Sequence, residues 1–337
     1  MIELSVKNNS PAAITAAFKK IKEMVTTGAM EKSATIHLIL EPGSYKEVVR
    51  YNLSNPLIME SVPGTSPEEC VIEAENCEAF NKGAENRAVF CFGPNVTKVT
   101  LKNFSVINTH IKAQKDGFNP ADSAEAFYWN NTDGILKAIG LRIISRQNTL
   151  CVKGNTWFEN CFISGDTDFI YGNPYTSYFE NCEINIREDN RGDYDGFAIK
   201  SLAYKDKPGF VFNECKFTAD KRKKSSLYVI RTAGKGSPTM LIGWDSAAFI
   251  NCQVSDLYSE EFEWDDDHCL NVYPRGNARV GWREYNTKNF DKNGTLTEAD
   301  TFMRNIKAYT MNEEEYYKYY ASRYIILKDN PLVEYID

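Results

Sequence analysis

The chain has 337 residues, 42% of them hydrophobic and 13% aromatic, with 39 Lys and Arg against 46 Asp and Glu for a net charge of −7. A chain of this length can bury roughly three quarters of its unfolded surface, which excludes disorder, and no run reaches the ~18 apolar residues of a membrane span. The acidity works against nonspecific nucleic-acid binding, which needs a basic face, and nine Cys with no Cys-x-x-Cys pair fit neither a complete disulfide set nor a Cys-based zinc site.

Taken from the start, Met1 to Ser10 lack the charged region and apolar core of a secretory leader. A cytoplasmic location is expected, or a secreted one if a leader has been removed. Ser10 and Pro11 read as a helix cap and a first-turn proline, followed by an amphipathic stretch that ends near Gly28. This predicts a capping helix over residues 10–28.

From Leu101 onward one short pattern recurs: Leu101-Lys-Asn-Phe-Ser-Val106, Phe158-Glu-Asn-Cys-Phe-Ile163, Phe179-Glu-Asn-Cys-Glu-Ile184, Phe212-Asn-Glu-Cys-Lys-Phe217 and Phe249-Ile-Asn-Cys-Gln-Val254. Each copy alternates apolar and polar residues as a strand with one inward face does. Stacked copies would bury Cys161, Cys182, Cys215 and Cys252 with the Phe side chains in a continuous core, while Asn satisfies backbone groups at the bend. The implied class is all-β, a right-handed parallel β-helix with coils over about residues 35–285, and residues 1–337 read as a single domain. A large antiparallel sandwich also yields many short strands, but repetition of the same Asn-Cys pair argues against it.

Further along, the basic run Lys221 to Lys224 reads as a solvated loop. Gly234-Lys-Gly-Ser-Pro238 lacks the spacing of a phosphate loop and reads as a turn. Glu263 to Asp267 is acidic but reads as a solvated loop, not a calcium site. Residues 286–337 form a C-terminal extension, with helices predicted from Thr297 to Ile306 and from Asn312 to Tyr324 to cap or flank the last coils.

Three scattered His (His37, His110, His268), with no His-Glu-x-x-His, and the lack of a Gly-x-Ser-x-Gly elbow make zinc and Ser-His-Asp hydrolysis poor fits. No cofactor and no metal are called for. Catalysis would fall to carboxylates, amides, Arg and aromatics.

The most distinctive string is Gly165-Asp-Thr-Asp168-Phe-Ile-Tyr-Gly172. It resembles the Gly-x-x-Asp-Phe-Ile-Phe-Gly motif of the pectin methylesterases, carbohydrate esterases that remove methyl groups from galacturonate esters on a right-handed β-helix. Gly43-Ser-Tyr45-Lys-Glu47 is similar to the family's Gly-x-Tyr-x-Glu motif, and Gln147-Asn148-Thr149-Leu150 to its Gln-Asp-Thr-Leu motif. Glu125-Ala-Phe-Tyr128 lies where the family has a segment beginning with Gln. Leu227 to Arg231 resembles the segment with the active-site Arg, and Gly281-Trp282 a late Gly-Trp segment. The resemblance covers roughly residues 10 to 285.

It implies that Asp168 is a nucleophile forming a covalent intermediate, that Arg231 pairs with and orients it, and that Gln147 donates its amide to the oxyanion, worth about 3 kcal/mol where such donors have been removed. Phe169, Tyr171, Trp129, Trp244 and Trp282 are candidates for stacking on sugar. Two positions depart from the family: Asn148 replaces the acid/base Asp, at a cost of about 10²–10⁴-fold in rate, and Glu125 replaces the second oxyanion Gln. Because residues two apart share a face of an extended strand, Asp166 is expected beside Asp168, where it or Glu125 could supply the missing proton. The expected function is removal of methyl groups from methyl-esterified oligogalacturonate, with a pectin-derived oligosaccharide as partner, neither nucleic acid nor membrane, and a monomeric state. The alternatives are an esterase or deacetylase of altered specificity, and a catalytically impaired saccharide-binding β-helix.

Overall fold

The structure is a computed structural model that describes residues 1–113, 119–192, 194–220, 226–232, 242–244, 246–259, 263–264, 279–304 and 308–336. The solvated loop expected at Lys221 to Lys224, the Gly234 turn, most of the Glu263 to Asp267 loop and His268 lie outside the described residues.

The chain winds as the right-handed parallel β-helix that the repeats predict. Among the described residues its strands form one sheet of 17 and another of ten, with parallel pairing throughout the coils. Two long strands show how a coil is built. Leu150–Glu159 pairs with Phe127–Trp129 at its start and Ile135–Ile139 at its end. Thr167–Glu180 pairs first with Gly196–Ser201 and then with Gly209–Asn213. The register shifts at Gly154, whose φ of 57° bends the strand from one face of the coil to the next.

At the following bend each coil places one residue in the left-handed region: Asn103, Gly140, Asn160, Asn181, Glu214, Asn251 and Asn286. Its N–H donates to a carbonyl of the next coil, as from Asn160 to Glu180 at 3.0 Å and from Asn181 to Asn213 at 3.1 Å. The repeated Asn is therefore a backbone choice, since Asn tolerates this conformation better than other side chains. The next residue turns inward, and its thiol donates to the preceding coil, Cys182 to Phe158 O at 3.4 Å and Cys215 to Phe179 O at 3.5 Å. Beside this ladder the repeat's rings stack, with centroids 5.0 Å apart from Phe158 to Phe179 and 4.6 Å from Phe179 to Phe212. Such pairs are worth about 0.5–1.5 kcal/mol beyond the burial of their area.

The N-terminal helix spans Ala13–Thr26, and the cap is not Ser10. Ala12 occupies the cap position at φ 59° without a side-chain bond. Glu47 caps the helix from the coil instead, accepting from the N–H groups of Ile14 and Thr15 at 2.9 Å each. A carboxylate there also meets the positive end of the helix dipole. Tyr45 anchors the same segment by donating to Val6 O and Glu41 O. Phe18 packs on Tyr51 at 4.8 Å, closing the first coil.

The C-terminal expectations change more. No helix forms from Thr297: Leu296–Glu298 pairs antiparallel with Lys288–Phe290, because Asp291 accepts from the N–H groups of Asn293 and Thr295 and Gly294 takes φ 80° to turn the chain. A short 3-10 turn follows at Thr301–Met303, and Ile306 is outside the described residues. The second helix is two, Glu313–Tyr319 and Arg323–Leu327, since Ser322 caps a new start by accepting from Ile325 N–H. These elements flank the coils rather than capping them. Met311, Tyr320, Leu327 and Leu332 bury against Trp157, Tyr178 and Val211 on the outside of the sheet. No helix among the described residues is long and apolar enough to cross a membrane.

Candidate active site

Parallel pairing stacks equivalent residues about 4.8 Å apart along the solenoid. On one face the register aligns Tyr128, Cys151, Tyr171, Lys200 and Arg231 in successive coils. Their neighbours Phe127, Leu150, Ile170, Ile199 and Ile230 fill the core. Tyr128, Cys151, Tyr171 and Lys200, joined by Arg87, Lys153 and Leu202, line a cleft of about 400 Å³.

Asp168 stands at the edge of this column. It has φ 48°, and the pairing of its strand is irregular between Thr167 and Ile170. That break in the pleat carries its carboxylate across two coils. Arg231 Nε donates to Asp168 Oδ1 at 2.5 Å and Arg231 Nη2 to Oδ2, a two-bonded grip, while Lys200 Nζ lies 3.7 Å from Oδ2. The carboxylate is 1% exposed. The glycines bracketing the motif are fixed by contact: a Cβ on Gly165 would lie 2.2 Å from Phe169 Cβ, and one on Gly172, at φ 128°, only 2.0 Å from Val152 O.

Gln147 bridges Ser123 and Thr167 of the flanking coils, so Asn148 and Asp168 occupy equivalent positions one coil apart, both left-handed. The Gln147 amide donates to Asn119 O at 3.1 Å and Ser123 Oγ at 3.2 Å, and Asn148 Nδ2 to the same hydroxyl at 3.3 Å. Glu125 is fully buried. Arg87 donates to it from Nε at 2.5 Å and from Nη2 at 2.6 Å, and Tyr171 donates its hydroxyl. Burial raises the Glu125 pKa above the usual carboxylate range, against the opposing pull of Arg87 and Tyr171. Burial, with the Cys151 and Glu125 charges, likewise pushes the Tyr171 phenol up.

Asp166 does not join Asp168. The break at Asp168 defeats the two-residue alternation, and Asp166 turns into a buried network with Lys112, which also contacts Asp189 at 3.0 Å and Thr167 Oγ1 at 2.9 Å. Arg146 lies 3.7 Å from Asp166. Burial would raise the Asp189 pKa, yet Arg191 and Lys112 outweigh it and hold that carboxyl well below its usual range. Asp166 is thus taken up by Lys112 and Glu125 by Arg87 and Tyr171, and neither carboxyl is in contact with Asp168.

Of the aromatic candidates, Tyr171 lines the cleft. Trp129, Phe169 and Trp282 are packed in the hydrophobic core, as inward members of the coil alternation, and cannot stack on a sugar. Trp244 sits on the short antiparallel pair formed by Ala203–Tyr204 and Ile242–Trp244, with Lys205 Nζ 5.4 Å from its ring centroid. Sequence reasoning missed Arg87, Lys112 and Lys200. Lys200 had a signal: Phe197-Ala-Ile-Lys200-Ser repeats the pattern of Tyr228-Val-Ile-Arg231-Thr, and Phe197 stacks on Tyr228 at 5.6 Å. The Arg87–Glu125 and Lys112–Asp166 pairs had none, because those partners come from other coils.

A family model described as Pectinesterase matches residues 11–272. Pectinesterase QRT1 of Arabidopsis thaliana is 24% identical over 264 residues, 76% of this chain and 62% of that one. Pectinesterase 1 of Olea europaea is 24% identical over 211 residues, 60% of this chain and 53% of that one. The chain spans about three fifths of the length of the curated relatives it matches. Among solved structures, a pectin methylesterase mutant in complex with hexasaccharide IV superposes with a TM-score of 0.69 at 17% identity, covering 98% of each chain. Pectin methylesterase PemA from Erwinia chrysanthemi gives a TM-score of 0.67 at 15% identity, covering 96% of each. At these identities the likeness of the structures is one of fold.

Proposed function

Because the chain belongs to the pectinesterase family, we propose that it is a carboxylic ester hydrolase acting on methyl-esterified oligogalacturonate, with Asp168 as nucleophile. The observation that carries this reading is the Asp168 carboxylate, set by a left-handed backbone 3.7 Å from Lys200, which lines the cleft, and held from one side by Arg231. A guanidinium that binds both oxygens orients the carboxylate for attack. Asp168 would attack the ester carbonyl to give an acyl-enzyme anhydride and release methanol, and water would then return the carboxylate. The Gln147 amide now serves Asn119 and Ser123, so it reaches an oxyanion by exchanging one of those acceptors for the charged one.

The test is methanol release from methylated oligogalacturonides. Wild type is expected to turn over, and Asp168→Asn to lose on the order of 10⁴–10⁶-fold, as removal of a nucleophile does elsewhere. Equal rates in the two proteins would rule out the assignment. Asn148 at the acid/base position favours a second reading, a saccharide-binding β-helix; binding of the oligosaccharide with no release of methanol or acetate by wild type would establish it.

A further inference from the structure

The proposed reaction has to move two protons. Methoxide is a poor leaving group unless it is protonated as it departs, and the second step needs a base to deprotonate water. Asn148 can do neither, and Glu125 and Asp166 are locked in buried ion pairs. The charged and titratable groups that line the cleft or touch Asp168 are Arg231, Arg87, Lys153, Tyr128, Tyr171, Cys151 and Lys200. Tyr128 donates its hydroxyl to Asn130 at 2.9 Å. Arginine does not give up its proton in proteins. Tyr171 spends its hydroxyl on Glu125, and burial pushes the phenol and the Cys151 thiol up. Lys153 donates to Asn130 at 2.8 Å and sits one coil farther from Arg231 than Tyr171 does. Lys200 stands between Tyr171 and Arg231 in the column, its Nζ 3.7 Å from Asp168 Oδ2, and with the arginines set aside it is the side chain of this set that reaches both the carboxylate and solvent, at 32% exposure.

We propose, on the esterase reading above, that Lys200 is the acid and base of this site. As Asp168 attacks, the ester C–O bond breaks and the departing oxygen takes a proton from the Lys200 ammonium, leaving methanol, the anhydride and a neutral amine. The amine then removes a proton from water. The hydroxide attacks the substrate carbonyl of the anhydride, expelling the Asp168 carboxylate and giving the free acid, with the ammonium restored. Ester and water are consumed, acid and methanol are formed, and no outside reactant is needed. Lys200 thus occupies, one coil on, the role that Asn148 cannot fill from the coil before.

The experiment separates proton transfer from charge. Lys200→Arg keeps a cation beside Asp168 but cannot release a proton. Rates are compared on methyl and 2,2,2-trifluoroethyl esters of oligogalacturonate, the latter losing an alcohol that needs little protonation. Lys200→Arg and Lys200→Met are expected to lose about 10²-fold or more on the methyl ester and to lose far less in release of trifluoroethanol during the first turnover. Asn148→Asp in the Lys200→Arg background is expected to recover methyl-ester hydrolysis. A wild-type rate for Lys200→Arg on the methyl ester, or equal losses on both esters, overturns the role of Lys200 and leaves the esterase reading intact. Failure of wild type on both esters overturns the esterase reading and this role with it.

Discussion

Two columns of left-handed residues run along the solenoid and are put to different use. At the repeat bend, Asn160, Asn181, Glu214 and Asn251 turn the chain, and the ring two residues before each of them and the inward thiol just after it do the packing. At the cleft, Asn148 and Asp168 adopt the same backbone conformation, but there the side chain is the point. The bend column accepts Asn, Gly or Glu, so a left-handed φ is what its positions share, although Asn103 also donates to Ser61 and Asn286 to Asn251. The cleft column is surrounded by cations from other coils, Arg231 and Lys200 in front and the Lys112 network behind. The contrast teaches that a left-handed residue becomes a candidate catalytic group through what the neighbouring coils aim at it.

The largest effect on folding is expected where that support is removed. Lys112→Met would leave Asp166 and Asp189 short of their shared buried cation; breaking a buried pair from one side costs about 3–5 kcal/mol. Urea unfolding followed by tryptophan fluorescence would register this as a lower midpoint. A variant as stable as wild type would show that the network is not needed behind the cleft. Acidification probes the same network more gently. Asp189 has its pKa depressed in the folded state, so its contribution is fully present above the unfolded value of about 3.9 and is lost as pH falls through the lower folded value. The midpoint of unfolding in urea should therefore decline steeply below about pH 4 in wild type and less steeply in Asp189→Asn. Parallel declines would mean that the pair contributes nothing to acid stability.

Periodicity made the first column legible and only half of the second. A solenoid repeats its register, so Phe-x-Asn-Cys at related intervals announced strand, bend and inward thiol together, and the coil architecture followed. The motif around Asp168 stood out for a related reason: Gly165 and Gly172 have no room for a Cβ, and such constraints leave a fixed string. What stayed hidden was whatever depends on cross-coil contact. Alternation placed Asp166 beside Asp168 because it assumes an unbroken pleat, and the positive φ at Asp168 removes that assumption. Glu47 read as part of a family motif, and only the fold reveals it as the cap of a helix more than twenty residues upstream in the chain. At the C-terminus, local propensity favoured helix after Thr297, and the Asp291 turn prevailed by offering the strand Lys288–Phe290 as a partner.

The smallest prediction tests the bend column itself. Asn181 is solvent-exposed with φ 53°, and the same position in the next coil is Glu214 at φ 56°. If the column asks only for a left-handed backbone, Asn181→Gly should leave the unfolding midpoint unchanged or raise it slightly, because glycine adopts this region without steric cost. Asn181→Ala should cost about 1 kcal/mol, the penalty of holding an ordinary Cβ in that region. The two variants differ by a single methyl group, so a gap between them isolates the backbone contribution. Equal losses in both would instead assign the stabilisation to the Asn side chain, and the bend would then resemble the cleft in depending on what its side chain touches.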